Sequence, residues 1–474
     1  MTLPADEQAR LDECFGVAEP EPVRPLHVVP GGEEQRVPDG AARTDLGNAQ
    51  HFAREHSGTL RHVRERRMWL AWDGTRWRRD ATGDADRAAK QTARKLLIAA
   101  ASAPEEECKA AIKWALATQS EGRLRAMLTL AATEPELALG ADELDQDPWL
   151  LACSNGTIDL RTAKLRAHDP GDLISMATDI DYQPEAPCER WQEFLNEVFA
   201  GDDELIAFMQ RLIGYTLTGD TREHMLAVFH GAGRNGKSTL VKILQRLLGD
   251  HATTAALETF LRARGDRGPR NDLAGLHRAR LVTAAESGEG KRLDEATVKE
   301  LTGGDRISAR FLYAEHFQFV PRFKLVLISN HRPKIDGDDD AIWARLRLVP
   351  FLVCFEGRED KQLDSKLEAE LPGILAWAVQ GCQDWQREGL GQAAAVTAAT
   401  AEYRADEDVL GAFLAEKCVL EGEIEPVKLR TAYDDFCGEL GEKPLAANVL
   451  GKRLSRRGIM RIKRLGVYKG ISLR

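Results

Sequence analysis

Residues 231–238 read GAGRNGKS and stand between an apolar run, Met225–Phe229, and a stretch whose apolar residues recur at helical spacing: Leu240, Val241, Ile243, Leu244, Leu247 and Leu248. A strand that feeds a glycine-rich turn and then a helix brings backbone N–H groups, a helix N-terminus and a lysine to one small volume, an arrangement suited to phosphate. In the pattern G-x-x-x-x-G-K-[ST], Gly231 and Gly236 let the backbone curl, Lys237 neutralises the outer phosphates, and Ser238 offers a hydroxyl to Mg²⁺. Gly231, Ala232, Gly233, Arg234, Asn235, Gly236, Lys237, Ser238 and Thr239 are therefore the expected loop for ATP or GTP. A glycine-rich turn that binds nothing shares the bare pattern but has no need of these flanks.

A nucleotide hydrolase also needs a carboxylate to hold the Mg²⁺ shell and polarise water, at the end of a neighbouring strand. Glu286, which ends the apolar run Leu281–Ala285, is the candidate for catalysis and for metal, with Ser238 as the second metal ligand. A solvated strand end has the same appearance. A later strand, Phe323–Ser329, finishes on Asn330, whose amide is suited to orient water and sense the outermost phosphate; a turn-capping asparagine would read alike. Downstream, AIWARLRLVPF offers Arg345 and Arg347 as charge-neutralising groups, or as plain surface arginines.

Strands alternate with helices from about Met225 to Val353, which predicts an α/β unit with a mainly parallel sheet. Before it, the spacing of Phe194, Leu195, Val198, Leu205, Phe208, Met209, Leu212 and Ile213 predicts amphipathic helices. RMWLAWDGTRWRRD predicts a hairpin turning at Asp73-Gly74, and helical patterns run through residues 85–140. Residues 1–44, rich in Pro, Gly, Glu and Arg, are expected to be a disordered leader. The chain of 474 residues is long enough for two or three domains. The reading divides it into the leader, 45–190, 191–385, and 386–474.

No apolar run approaches a membrane span, and the first residues lack a secretory pattern, so a soluble cytoplasmic protein with no membrane partner is expected. The eight cysteines fall at no metal-ligand spacing and are expected to stay reduced. A net charge of −10 argues against a protein that coats nucleic acid with its whole surface but leaves room for local basic patches.

The order of HGAGRNGKSTL, ARLVTAAESGEGKRLDEATVKELTGGDRISARFLY, FKLVLISNHRPKI and DDAIWARLRLVPF resembles the superfamily three helicases. More narrowly it resembles the helicase region of phage and plasmid primase-helicases, related to the poxvirus primase-helicase. NGTIDLRTAKLRAHDP, RLIGYTLTG and ELPGILAWAVQGCQDWQREGL extend the likeness over roughly residues 45–385. The resemblance implies an AAA+ P-loop ATPase preceded by a mostly helical helicase-associated domain. It implies a homo-oligomeric ring, usually a hexamer, that uses Mg·ATP to move on single-stranded DNA and open forked DNA during phage, prophage or plasmid replication. It places the acidic motif on Glu286, the γ-phosphate sensor on Asn330, and an inter-subunit arginine finger on Arg345, with Arg347 as the other choice. It also implies a DNA-gripping hairpin over Gly303–Phe319, with Lys299, Arg306, Arg310, Tyr313 and His316 as contacts; a solvated hairpin is the rival reading. Many relatives have two consecutive carboxylates and two adjacent arginines where this chain has Ala285-Glu286 and Ala344-Arg345.

The C-terminal stretch resembles a winged helix: a helix near Leu429–Leu440, a second near Ala446–Arg457, then a ribbon from Ile459 to Leu473. Lys452, Arg453, Arg456 and Arg457 on or beside the second helix form a basic footprint for DNA, or else a solubilising tail. The region before the ATPase shows no carboxylate set for a two-metal polymerase, so a helicase without its own primase is expected, and a separate primase is a possible partner. The rival from another class is an ATP-switched replication initiator or DNA motor that binds DNA without unwinding it.

Overall fold

The computed structural model describes residues 43–262, 271–285, 290–310, 316–335, 340–462 and 464–474. The first described element is helix α1 (Asp45–His56), whose N-terminus is capped by Thr44 accepting from the Gly47 N–H at 3.0 Å. Strands β1 (Leu60–Val63), β2 (Met68–Trp72) and β3 (Trp77–Arg79) follow as antiparallel neighbours. The expected hairpin forms: Trp72 faces Trp77, Gly74 turns at φ +99°, and the Asp73 carboxylate accepts from the Thr75 and Arg76 amides at 2.9 Å. Helices α2 (Asp84–Ala101), α3 (Glu105–Thr118) and α4 (Glu121–Ala131) cover this sheet, and β4 (Ala138–Leu139) joins its edge parallel to β1. A second antiparallel sheet is made by β5 (Leu150–Cys153), β6 (Gly156–Asp159) and β7 (Lys164–Arg166).

Helices α5 (Glu189–Val198) and α6 (Asp203–Thr216) carry the amphipathic spacing read above, and their apolar faces are buried. Next come β8 (Leu226–His230), α7 (Lys237–Leu248), β9 (Ala252–Thr254), the short α8 (Asn271–Ala274), β10 (Leu281–Ala285) and α9 (Glu295–Thr302). The hairpin strands β11 (Ile307–Arg310) and β12 (His316–Phe319) lead to β13 (Lys324–Ser329), α10 (Asp340–Arg345) and β14 (Leu346–Pro350). Five strands form one parallel sheet in the order β14-β8-β13-β10-β9. Its strands read as near-continuous apolar runs because helices cover both faces. The protein is thus mixed α/β with a mainly parallel sheet.

Helices α11 (Leu363–Ala369), α12 (Leu371–Glu388) and α13 (Ala394–Asp406) complete the layer. Helix α12 lies against α6 with the two backbones in contact. A Cβ on Gly214 would stand 2.1 Å from the Cys382 nitrogen, and one on Gly381 would stand 2.1 Å from the Gln210 oxygen. The largest apolar cluster includes Leu151, Ile158 and Leu160 from the second sheet together with α5, α6, α7 and α12, so the chain on both sides of residue 190 shares one core. The last part has its own core around Phe413, Tyr433, Phe436 and Leu454. It comprises α14 (Val409–Lys417), β15 (Cys418–Val419), β16 (Glu423–Ile424), α15 (Pro426–Glu439), α16 (Ala447–Arg456), β17 (Met460–Ile462), β18 (Val467–Lys469) and β19 (Ser472–Leu473). Among the described residues no helix is long and apolar enough to cross a membrane, and the seven described cysteines are free thiols.

Candidate nucleotide-binding site

Register brings two loops together. Strand β8 lies between β14 and β13, with His230 level with Pro350 on one side and with Ser329 on the other. The chain leaves β8 at Gly231 and β13 at Asn330, so the glycine-rich turn and Asn330 emerge side by side at the carboxyl end of the sheet. In open α/β sheets this is where ligands bind.

The turn is built around close backbone approach. A Cβ on Gly231 would lie 2.1 Å from the Phe351 oxygen, and one on Gly236, at φ +85°, would lie 2.7 Å from Val198 Cγ2 on α5. Both glycines of the pattern therefore have steric reasons to be glycine. Arg234 also takes a left-handed conformation, at φ +57°.

Lys237 opens α7 and is only 5% exposed. Its ammonium donates to Gly231 O at 2.7 Å, Asn235 Oδ1 at 3.0 Å, Ala232 O at 3.1 Å and Asn330 Oδ1 at 3.1 Å. All four acceptors are neutral oxygens, so among the described residues the charge is uncompensated, and burial pushes the Lys237 pKa down to about 8. The N-terminus of α7 has no side-chain cap. A buried cation beside an uncapped helix N-terminus is short of an anion, so these residues fit a phosphate group. Asn235 fixes the arrangement from the other side. Buried, it accepts from Lys237 through Oδ1 and donates through Nδ2 to Phe351 O at 3.0 Å, which ties the turn to the chain leaving β14.

Beside the turn a cavity of about 580 Å³ is lined by Phe194, Thr239, Phe355, Arg358 and Leu363, with Gly236 at its rim. Its size and aromatic walls suit a small heterocycle. The glycine pattern pointed to the phosphate end only; Phe194, Phe355 and the latch role of Asn235 carry no local signature and emerge from the packing of α5 and of the segment after β14.

The other expected residues lie as follows. Ser238 is exposed at the first turn of α7. Glu286 and Tyr313 lie outside the described residues; β10 is described to Ala285, which is level with Ile328. Arg345 ends α10 and Arg347 lies level with Ala227, at the start of β14, three residue steps along the strand from the level of His230. At about 3.3 Å per residue, that puts Arg347 about 10 Å along the strand from the turn. Neither arginine is beside the Lys237 of its own chain. Arg345 donates to Ala341 O at 2.9 Å and Arg347 to Ala344 O at 2.7 Å.

In the hairpin, Arg310 and His316 face each other across β11 and β12, and the buried Nε of Arg310 has no partner among the described residues. Arg306 is exposed where the chain enters β11, and Lys299 lies 3.9 Å from Glu295 on α9. On α16, Lys452 and Arg456 are exposed and Arg453 is half-buried, whereas the next residue, Arg457, is held by both Asp408 oxygens at 2.7 Å.

A parallel sheet with a glycine turn and a buried lysine at its carboxyl end defines a class, an α/β protein with a phosphate-shaped site. The family is narrower. Residues 49–200 match the "D5 N terminal like" family and residues 229–345 match a "Family of unknown function (DUF5906)". Together with the viral relatives described next, these matches support a D5-like primase-helicase family for this chain. It is 29% identical over 299 residues to "Putative helicase L207/L206" of Acanthamoeba polyphaga mimivirus, covering 58% of this chain and 31% of that protein. It is 28% identical over 229 residues to "Putative helicase 121R" of Invertebrate iridescent virus 3, covering 46% and 24%. It is 26% identical over 327 residues to "Putative primase C962R" of African swine fever virus, covering 62% and 34%. The matches thus span 24–34% of the length of these relatives. Among solved structures, the apo structure of NrS-1 C terminal region aligns with 85% of this chain and 91% of its own at 10% identity and a TM-score of 0.46.

Proposed function

We propose that this chain is an Mg·ATP-dependent DNA helicase of phage, prophage or plasmid replication, built on an AAA+ ATPase over residues 191–385. The units 45–190 and 386–474 act as the helicase-associated and winged-helix-like DNA-binding parts. One observation carries the reading: the buried Lys237 ammonium is held between its own turn and Asn330, with only neutral partners among the described residues. Bound phosphate would supply the missing negative charge. Lys237 and the first-turn amides of α7 hold the phosphates, Asn330 orients water at the outermost one, and the cavity beside Phe194 and Phe355 receives the base. Ser238 is the described residue suited to hold Mg²⁺, with Glu286 as its partner.

Arg345 and Arg347 flank the start of the strand that ends on Pro350, and lie away from their own Lys237. Their position supports a role in trans, completing the site of a neighbouring copy in a ring, usually a hexamer. Hydrolysis would then require assembly, and the exposed Arg306, with Arg310 and His316, would follow single-stranded DNA through the hairpin. Lys452, Arg453 and Arg456 on α16 would hold duplex phosphates at the fork. Arg457, held by Asp408, is the weakest of that set.

The test is strand separation. On a forked duplex with ATP and Mg²⁺ the wild type should release the displaced strand, and Lys237→Ala should bind the fork and leave it closed. A wild type that hydrolyses ATP, binds the fork and never opens it would instead be an ATP-switched initiator. Primer synthesis by this chain alone would refute the expectation that it has no primase of its own.

A further inference from the structure

Parallel strands begin at the same end of a sheet, so the residues just before them converge there. In this protein those residues are His251 before β9, Arg278 and Arg280 before β10, and Arg322 before β13, with Arg306 before β11 beside them. They line a cavity of about 240 Å³ whose far wall is the segment from Ala141 to Pro148. This is the foot of the sheet, at the opposite end from Lys237.

Four guanidinium groups line the cavity against two carboxylates, Asp142 and Asp145. Asp145 is already engaged by the Ser175 amide at 2.6 Å and hydroxyl at 2.5 Å and by Arg278 at 3.3 Å. The Arg280 guanidinium is buried and, among the described residues, donates to the carbonyls of Leu217 and, at 2.6 Å, Leu150. Arg322 donates to Asp145 O at 2.5 Å through one amino group. Arg306 is exposed and has no partner among the described residues. Arg278 sits at φ +74°, a conformation an arginine keeps only when its surroundings hold it, here through Ser175 Oγ at 3.0 Å and Ala141 O at 2.9 Å.

The positive field extends beyond the cavity. The exposed turn Arg64–Arg67, part of the basic segment RHVRERR, brings Arg66 close enough for its charge to act on both His277 and Arg278. Burial, with Arg278, Arg66 and Arg322 adding, pushes the His277 pKa down to about 4, so its ring stays neutral. That ring meets Phe317 and Phe319 edge-on at 5.4 and 5.3 Å. Cations with spare donors are what the phosphates of an unpaired nucleic-acid strand need, and the ring cluster forms a rigid wall behind them.

We propose that the arginine-lined cavity at the foot of the parallel sheet binds the phosphodiester backbone of single-stranded nucleic acid, with Arg322 and the nearby Arg66 as phosphate contacts added to Arg306, already read as a hairpin contact. The assignment rests on the DNA-directed reading above and adds to it a second contact, remote from the ATP site and shared with the D5-like N-terminal region. Arg66 and Arg306 are exposed, which favours an extended strand that reaches both over a small free anion.

The test is binding of a labelled oligothymidylate by the full chain, followed by anisotropy across a salt series. The variants are Arg66→Ala, Arg322→Met and their double, with Arg387→Ala, an exposed arginine on α12, as control. Arg66→Ala alters an exposed side chain and should keep the wild-type thermal midpoint. Each of Arg66→Ala, Arg322→Met and the double should weaken binding by about tenfold and reduce the salt slope by about 0.7, while the control leaves both unchanged. Wild-type affinity and salt slope in the double variant overturn the proposal. So does a result in which inorganic phosphate raises the thermal midpoint of the wild type alone while DNA affinity is the same in all variants, which would mark a free-anion site. A wild type that binds no oligothymidylate fails the DNA-directed reading itself, a different outcome from variants that merely match the wild type.

Discussion

Lys237 Nζ and Asn330 Oδ1 lie 3.1 Å apart, although 93 residues separate them in sequence. The contact follows from register: β13 runs alongside β8 with Ser329 level with His230, so the residue after one strand meets the turn after the other. Neither partner can move without breaking a bond to the other's loop. Removing Asn330 should therefore affect turnover more than binding. We expect Asn330→Ala to retain nucleotide affinity within a few-fold and to lose about 10²-fold in single-turnover hydrolysis, the scale at which one oriented polar group contributes to a transition state. Equal losses in both would make Asn330 a binding residue only.

The buried ammonium gives a pH signature. Burial lowers the Lys237 pKa from its ordinary 10.5 to about 8 in the folded chain. Between those values the unfolded chain still holds a proton that the folded chain has released, so this group's contribution to stability rises with pH across that window. Below pH 8 the penalty is present in full. An anion on Lys237 restores the charge, so nucleotide binding at pH 8.5 should take up roughly three-quarters of a proton. Titration calorimetry in buffers of different ionisation enthalpy reads this directly, and Lys237→Met should abolish it.

The cavity beside the turn predicts a separable effect on affinity. Phe355→Ala removes one aromatic wall and should raise the dissociation constant for ATP by about tenfold, at the low end of the 1–3 kcal/mol that stacking contributes per base, with turnover at saturation little changed. Fluorescent-nucleotide displacement measures it. Unchanged affinity would place the base elsewhere.

Contact between α6 and α12 predicts a stability effect with no chemistry attached. Because a Cβ on Gly214 would sit 2.1 Å from the Cys382 nitrogen, Gly214→Ala must push the helices apart. We expect a loss of about 1–3 kcal/mol, seen as a lower urea midpoint with little change in slope.

Local patterns made much of this fold legible. The Asp73-Gly74 turn, the amphipathic spacing of α5 and α6, and the strand–turn–helix around Lys237 are each written in a few adjacent residues. What stayed hidden depends on residues far apart meeting in space. Gly214 and Gly381 look like ordinary helix-interior glycines until the two helices cross. Arg280 and Lys324 look like charges at exposed strand ends, yet both are buried at the foot of the sheet, with Lys324 donating to Thr218 O and to Asp220 O at 3.2 Å. Asn235 is a variable position of the glycine pattern, and only the packing of Phe351 reveals it as a latch. Arg457, read as part of a basic footprint, is drawn into an ion pair by Asp408, which lies 49 residues earlier.

The most direct measurement is ATP hydrolysis by the purified full chain with Mg²⁺, with and without single-stranded DNA, for the wild type and Lys237→Ala. The wild type should release phosphate, faster when DNA is present, and Lys237→Ala should fall by at least about 10²-fold under both conditions. A wild type that releases no phosphate, or a Lys237→Ala variant that matches it, would contradict the assignment of this site.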